Sequence, residues 1–377
     1  MPLLQRFTAL GFRNLAPLAL DVPAHGLVIV GDNGHGKTNL LEAIAYLHAW
    51  RSVRGAGDID LVGFGAAAFH LAASTGAGSE IRVGFERATR RKKVTVDGVP
   101  VNRLADALGA LPSVTVSPRD VQLVIGPPSE RRRLLDVLLA LSSPSYLTAL
   151  TEYRAALIRR NATIRTAGKH PDTGARAAAW EGTLATAGAA LFVARRDWAE
   201  RVRPRYAELC TLLGEREASA LRYRSSADTS VPPDADQAAI RDALAGALER
   251  HRGQDMRRGT TRVGPHRDEL ELRLGGRLLR PFGSAGQHRS SALALRLLEF
   301  ETLRERLRQE PLLLLDDPFA ELDAERSRRV LELLLVRDQT QVILAVPKVS
   351  DVPAAFAHLA RTRILEGTVT LMDAEGR

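Results

Sequence analysis

The fold of this chain is decided by the stretch Gly31-Asp32-Asn33-Gly34-His35-Gly36-Lys37-Thr38. This stretch matches the pattern G-x-x-x-x-G-K-[ST], follows the apolar run 27–30 and precedes a helical pattern over 39–50. Glycines have no Cβ, so the loop can turn its N–H groups toward phosphates, and the dipole of the following helix adds positive charge. Lys37 is expected to reach the β- and γ-phosphates, and the Thr38 hydroxyl to bind Mg²⁺. The sequence therefore predicts that these eight residues form an ATP site.

An acidic pair follows a second apolar run. Residues 312–315 are four leucines, and Asp316 and Asp317 come directly after them. Beside a phosphate loop, Asp316 is predicted to hold Mg²⁺, directly or through water, and Asp317 to position or deprotonate the attacking water as a catalytic residue together with Lys37. On its own, an acid at the end of a strand is equally typical of a loop or a helix cap.

A Gly/Ser loop, Phe282-Gly283-Ser284-Ala285-Gly286-Gln287, precedes a helical pattern that begins near residue 290. Alone, such a loop merely caps a helix. Beside the other two motifs it matches the ABC signature, in which Ser284, Gly286 and Gln287 would meet the γ-phosphate held by the opposite subunit. The pattern therefore predicts an ATP-dependent homodimer in which two chains meet head to tail.

The segment Pro318-Phe319-Ala320-Glu321-Leu322-Asp323 follows the acidic pair. It resembles the D-loop that crosses the dimer interface in ABC ATPases. The alternative is that Asp323 caps the next helix.

The order of the patterns predicts a discontinuous α/β head. Strand and hairpin patterns occur in residues 1–128 and 259–377, and a helical, Ala/Arg-rich region occupies 129–258. We therefore expect an ABC-type P-loop ATPase head built from both chain ends, including a β-rich lobe at about 60–115, with a mainly helical domain inserted.

Composition points to a polyanionic partner. The chain of 377 residues has 53 Lys and Arg against 44 Asp and Glu, a formal charge of +9, which favours nucleic acid or an anionic surface, although a solvated basic surface also fits. Strands 80–87 and 93–96 flank a basic connection that either contacts phosphates or forms a hairpin tip (Arg87, Arg90, Arg91, Lys92, Lys93).

Cys210 is the single cysteine, which excludes an intramolecular disulfide. With no apolar run of about 20 residues, we expect a cytoplasmic protein without a membrane partner.

Together the motifs resemble those of the RecF family, bacterial recombination-repair proteins related to the heads of SMC-type ATPases. The resemblance runs through most of the chain, and it is carried by Phe12-Arg13-Asn14, the segment 33–44, Ser117-Pro118-Arg119-Asp120, the segment 126–133, Gly264-Pro265-His266-Arg267-Asp268, the acidic pair and Glu321-Leu322-Asp323. It implies an ATP-bound dimer that clamps double-stranded DNA, favours junctions between single and double strands, and works with RecO and RecR to load RecA. Which residues contact DNA is not implied.

One segment departs from the family pattern. After the strand 342–346, where relatives carry polar residues near the γ-phosphate, this chain has Pro347-Lys348, and proline lacks an N–H group. We therefore expect slow, DNA-stimulated ATP hydrolysis. The alternatives are another SMC-like ATPase acting on DNA, an ATP-binding DNA scaffold with little turnover, and a transporter subunit. The spacing of roughly 250 residues between the phosphate loop and the signature disfavours the transporter subunit.

Overall fold

The protein is described from a computed structural model. It describes residues 4–102, 107–166, 172–226, 235–320, 324–335 and 340–372. Their packing divides the chain into two compact units. We call residues 1–120 and 295–377 the head unit, and residues 121–294 the helical unit.

Within the described residues the strands are β1 Leu4–Leu10, β2 Leu18–Asp21, β3 Gly26–Val30, β4 Ala68–Thr75, β5 Glu80–Glu86, β6 Arg91–Val96, β7 Val99–Pro100, β8 Ser113–Val116, β9 Ser219–Arg224, β10 Glu269–Leu274, β11 Arg277–Leu278, β12 Leu312–Asp316, β13 Val342–Val346, β14 Ala360–Leu365 and β15 Thr368–Leu371. The α-helices are α1 Lys37–Ala49, α2 Asp58–Leu61, α3 Gln122–Ile125, α4 Pro128–Ser142, α5 Pro144–Ile164, α6 Thr173–Ala178, α7 Glu181–Leu212, α8 Gln237–Arg258, α9 Leu279–Phe282, α10 Ala285–Leu307 and α11 Ala324–Leu335.

Two sheets build the head unit. The first is antiparallel, in the order β2-β1-β4-β5-β6-β7. The second has the order β15-β14-β3-β13-β12-β8, with β14, β3, β13, β12 and β8 parallel. Its central strands β3, β13 and β12 are buried along their whole length, as expected for a sheet covered on both faces.

The topology of the second sheet positions the site. β3 lies between β13 and β14, so a strand from the start of the chain is flanked by two strands from its end. The carboxyl ends of parallel strands meet at one edge, which is where ligands bind in open α/β sheets. Both the phosphate loop after β3 and the acidic pair at the end of β12 belong to this edge.

Helices α4 to α8 form most of the helical unit, together with the three-stranded antiparallel sheet β11-β10-β9. Two arginines are buried in it with their counter-charges. Arg160 donates to Asp255 at 2.8 Å and to Glu181 at 2.9 Å, and Arg195 donates to Asp136 at 2.6 Å.

The units divide at different places from the domain limits predicted at 128 and 258. The divisions fall at 120/121 and inside α10 at 294/295. Residues 259–294 pack with the helical unit because β10 pairs with β9 over six residues, from Glu269 opposite Arg224 to Leu274 opposite Ser219. Sequence patterns mark strands but not their partners, so this pairing had no local signal.

Among the residues that the structure describes, one helical stretch, Thr173–Leu212, is long and apolar enough to cross a bilayer, a criterion that core helices also meet. In α7, Leu184, Leu191 and Trp198 are buried, and so is the charged Arg195. This burial is typical of a core helix.

Candidate nucleotide site

The phosphate loop connects the buried strand β3 to helix α1. Gly34 and Gly36 have φ values of 87° and 109°, a left-handed region that favours glycine. Gly36 is the N-cap of α1, so the helix has no side-chain cap, and no acidic residue lies in its first turn. The first N–H groups of a helix have no intrahelical partner, which leaves them to bind an anion. The loop therefore fits a phosphate group.

Lys37 is the cation of this loop. Its side chain is buried, and its amine donates to the backbone carbonyls of Asp32, at 3.0 Å, and of Gly31. Burial lowers the pKa of Lys37 below its usual range, whereas the carboxylates of Asp316 and Asp317 act to raise it. An ammonium group held by its own loop's carbonyls is positioned to exchange them for phosphate oxygens.

Thr38 and Asp316 are brought together by the sheet. The Thr38 hydroxyl donates to the Asp316 carboxylate at 3.1 Å, and Asp316 is the buried last residue of β12. Burial raises the pKa of Asp316, while the hydrogen bond from Thr38 and the charge of Lys37 lower it. A hydroxyl and a carboxylate oxygen are ligands that Mg²⁺ prefers, so this pair fits the metal.

Asp317 has an unusual backbone. Its φ is 48°, and its N–H donates to the carbonyl of Ala345 at 2.9 Å, which fixes it to β13. Burial raises the pKa of Asp317, Lys37 lowers it, and Asp351 raises it further. A half-buried carboxylate with a raised pKa is the kind of group that accepts a proton from water.

A buried acid on α1 organises the rim of the site. The Glu42 side chain is 1% exposed and accepts from Arg13 at 2.7 and 3.1 Å, from Arg54 at 3.3 Å and from Ser52. Arg54 also donates to Asn39 at 3.0 Å and lowers the pKa of Asp316 by its charge. Arg13 and Glu42 lie in two stretches that carry the family resemblance, Phe12-Arg13-Asn14 and 33–44, whereas Arg54 carries no pattern of its own.

The turn between β14 and β15 holds the phosphate loop from the other side. The N–H groups of Glu366 and Gly367 donate to the ring and the carbonyl of His35, at 3.0 and 2.9 Å. The carbonyl of Gly367 accepts from Ala16 at 3.0 Å, next to Asn14. The sequence carries no local signal for this contact with the loop.

The signature residues lie at the start of α10, in the helical unit. Ser284 and Gln287 form a reciprocal cap: the Ser284 N–H donates to the Gln287 side chain at 2.8 Å, and the Gln287 N–H donates to the Ser284 hydroxyl at 3.3 Å. Because Ser284 accepts through its oxygen, its own O–H proton stays available to a ligand. The exposed Ser284 and the neighbouring Gly286 can thus cap the helix and still contact a phosphate.

Two further sequence predictions have different outcomes. Asp323, the predicted D-loop residue, lies outside the described residues. In the basic connection, Lys92 binds Asp58 at 2.8 Å and the Trp50 carbonyl at 2.6 Å, and Arg87 binds the Val62 carbonyl at 3.0 Å. These two cations are therefore engaged within the head unit.

A phosphate loop between a buried parallel strand and a helix, with an acidic pair at the end of another strand of the same sheet, defines a P-loop ATPase of the ABC type. The family model described as "RecF/RecN/SMC N terminal domain" matches residues 3–355. The chain belongs to this family and, within it, to the RecF proteins of DNA replication and repair.

Curated relatives and solved structures support this family assignment. The chain is 37% identical to "DNA replication and repair protein RecF" of Frankia alni, over 93% of this chain and 95% of the relative. It is 34% identical to the protein of the same name from Rhodococcus erythropolis, over 93% and 90%. A structure described as "the recombination mediator protein RecF-ATPrS in RecFOR pathway" superposes with a TM-score of 0.89 at 28% identity, covering 98% of this chain and 97% of that one.

The Smc head domain of Pyrococcus furiosus shares the fold, with a TM-score of 0.56 at 16% identity and coverage of 99% and 96%. The predicted family and the predicted ABC-type fold are thereby confirmed.

Proposed function

We propose that this chain binds ATP and Mg²⁺ at the phosphate loop, dimerises on ATP, and clamps double-stranded DNA near single-strand gaps. In this role it assists RecA loading together with RecO and RecR in the cytoplasm. The observation that carries the proposal is the assembled triad of Lys37, Thr38 and Asp316, which joins a phosphate-binding cation to two metal-ligand oxygens. The solved RecF structures named for ATP and ATPrS support the choice of nucleotide.

Each residue then has a task. Lys37 holds the β- and γ-phosphates, while Thr38 and Asp316 hold Mg²⁺, whose charge offsets that of the phosphates. Asp317 positions the attacking water and accepts its proton. Ser284 and Gly286 contact the γ-phosphate bound by the partner chain, so each site needs both subunits.

A mixing experiment tests the composite site. Lys37→Ala removes the phosphate cation, and Ser284→Arg blocks the signature loop with a bulky charge, so neither variant should dimerise on ATP in sedimentation. A mixed dimer has one intact site, with the phosphate loop from one variant and the signature from the other. We therefore expect the mixture to associate on ATP. If the mixture stays monomeric with ATP while the wild type dimerises, the signature loop does not contact the nucleotide of the partner chain.

DNA binding is tested with gapped duplex and fluorescence anisotropy. The clamp predicts that the wild type binds more tightly with ATP than without, and that Lys37→Ala loses this increment. Equal affinity with and without ATP contradicts a clamp. The charge of +9 also predicts a steep loss of affinity with salt.

A second function is an ATP-holding scaffold with little turnover. It is favoured by Pro347, which follows β13 directly and supplies no N–H beside the site. The ATPase rate with and without gapped DNA separates the two, because the clamp ATPase predicts slow hydrolysis that DNA stimulates, and the scaffold predicts none.

A further inference from the structure

A cationic cavity lies in the helical unit, and none of its described lining residues belongs to a motif of the nucleotide site. Its volume is about 440 Å³, and it is lined by Arg258, Thr260, Arg262 and Arg267. Arg258 is the last residue of α8, and Gly259 ends that helix in the left-handed conformation, with a φ of 70°. We call these four residues the arginine pocket. Small-molecule pockets are mostly apolar, whereas the described residues that line this one are three arginines and a threonine.

The three guanidinium groups of the arginine pocket have no carboxylate partner among the described residues. Arg267 makes only long contacts, 3.4 Å to the Thr261 carbonyl and 3.5 Å to the Thr260 hydroxyl, and Arg262 donates to Gln254 at 3.3 Å. All three arginines are exposed. Like charges gathered around one cavity repel each other, and an anion between them removes that repulsion.

Some other arginines of the same unit do have carboxylate partners. Arg203 pairs with Glu200 at 2.7 Å, Arg205 with Glu208 at 2.9 Å and Arg241 with Asp242 at 2.8 Å. Lack of a partner is not special by itself, since the exposed Arg201, Arg216 and Arg222 also have no carboxylate partner among the described residues. The arginine pocket differs in gathering three such side chains around one cavity.

A buried network holds the backbone of the pocket in place. The fully buried Arg160 donates to Asp255 and to the Thr261 hydroxyl, both at 2.8 Å. Asp255 in turn accepts from the Arg262 N–H at 3.1 Å, and Asn161 accepts from the Thr261 N–H at 2.8 Å. The charged side chains thus extend from a segment whose main chain is fixed, which lowers the entropy lost on binding.

We propose that the arginine pocket binds backbone phosphates of DNA. The inference rests on the proposed function, and it names the part of the chain that DNA contacts. Arginine forks match phosphate oxygens in geometry and charge, so three guanidinium groups around one open cavity suit a phosphodiester. The Gly264-Pro265-His266-Arg267-Asp268 motif, which the nucleotide site does not use, ends at this pocket.

The test compares three full-length proteins on gapped duplex with ATP, by fluorescence anisotropy across a salt series. The first is the wild type, the second carries Arg258→Ala, Arg262→Ala and Arg267→Ala, and the control carries Arg203→Ala, Arg205→Ala and Arg241→Ala. The control loses the same three charges from the same unit. We expect the pocket variant to lose about tenfold or more in affinity, with a salt slope shallower by about 1 to 3, and the control to change by less than about twofold.

ATP-dependent dimerisation, measured by sedimentation, should be unchanged in the pocket variant and in the control, because no pocket residue belongs to the nucleotide site. Arg258→Glu alone, at an exposed helix end, gives a second variant that keeps the loop contacts and should also weaken DNA binding. Wild-type affinity and slope in the pocket variants overturn the inference while leaving the proposed function standing. The inference is also overturned if the pocket variant loses binding of inorganic pyrophosphate but keeps wild-type affinity for DNA. A wild type that does not bind DNA overturns the proposed function, and the inference with it.

Discussion

The Thr38 hydroxyl donates a hydrogen bond to the Asp316 carboxylate at 3.1 Å, although the two residues are 278 positions apart in the chain. This contact joins the phosphate loop to the acidic strand and places two oxygens where a divalent cation binds.

Thr38→Val keeps the shape of the side chain and removes the hydroxyl. We expect the gain in ATP affinity on adding Mg²⁺ to fall by about tenfold, because one metal-ligand oxygen is lost, while affinity in EDTA stays near that of the wild type. Calorimetric titration with ATP in both conditions measures the difference. Thr38→Ser should retain the Mg²⁺ gain, and an unchanged gain in Thr38→Val would exclude Thr38 as a ligand.

Asp317→Asn removes the proton acceptor with little change in size. We expect ATP hydrolysis to fall by about 10²- to 10⁴-fold, with ATP binding retained and the ATP-bound dimer accumulating. Phosphate release and sedimentation with ATP measure the two effects. Normal turnover in this variant would remove Asp317 from the catalytic role.

Glu42→Gln removes the negative charge that two arginines share. Because the carboxylate is buried and Arg13 and Arg54 are each about a quarter exposed or less, we expect the free energy of unfolding to fall by about 2 to 3 kcal/mol. Urea unfolding measures the loss. The control is Glu80→Gln, whose partner Arg82 is exposed, and it should leave the midpoint unchanged. Equal effects in both variants would mean that burial of Glu42 has no consequence.

Gly367→Ala tests the turn that holds the phosphate loop. Gly367 has a φ of 81°, and a Cβ there would lie 1.9 Å from the Asn14 carbonyl oxygen, so the turn must move away from His35. We expect ATP affinity to fall by about tenfold and stability by about 1 to 3 kcal/mol. Gly276→Ala is matched, because Gly276 has a φ of 77° in another hairpin with open space around it. A similar loss of ATP affinity in the control would refute the role of the contact.

His48 predicts how stability depends on pH. Burial lowers its pKa from 6.5 to about 4, and its Nδ1 accepts from the Ser113 N–H at 3.1 Å. Between these two pH values the unfolded chain binds a proton that the folded chain does not, so acidification favours unfolding. We expect a loss of about 3 kcal/mol from this residue on going from pH 7 to pH 4.

The measurement is the urea midpoint over that pH range. His48→Asn retains an acceptor for Ser113 and cannot titrate, so its midpoint should depend less on pH. A pH dependence identical to that of the wild type would assign the acid loss to other groups, such as His266, whose pKa burial also lowers to about 4.

Sequence patterns predicted the strands and helices of this site well. The strand 342–346 was placed at the limits of β13, and the leucine run 312–315 at β12, because uninterrupted apolar runs are typical of buried parallel strands. The pairing of β9 with β10 and the Glu42 cluster left no such pattern. Both depend on contacts between distant segments, and a single arginine or glutamate looks the same in sequence whether it is solvated or buried.

The position of β3 also governs when the site can form during synthesis. Its two neighbours, β13 and β14, come much later in the chain, and at translation rates of about 5–20 residues per second the wait for β13 is roughly 15 to 60 s. Throughout that interval the strand Gly26–Val30, buried along its whole length in the finished sheet, has neither edge paired. We therefore expect the nascent chain to benefit from chaperones in that interval, and the turn between β14 and β15 can hold the phosphate loop only after both strands have been made.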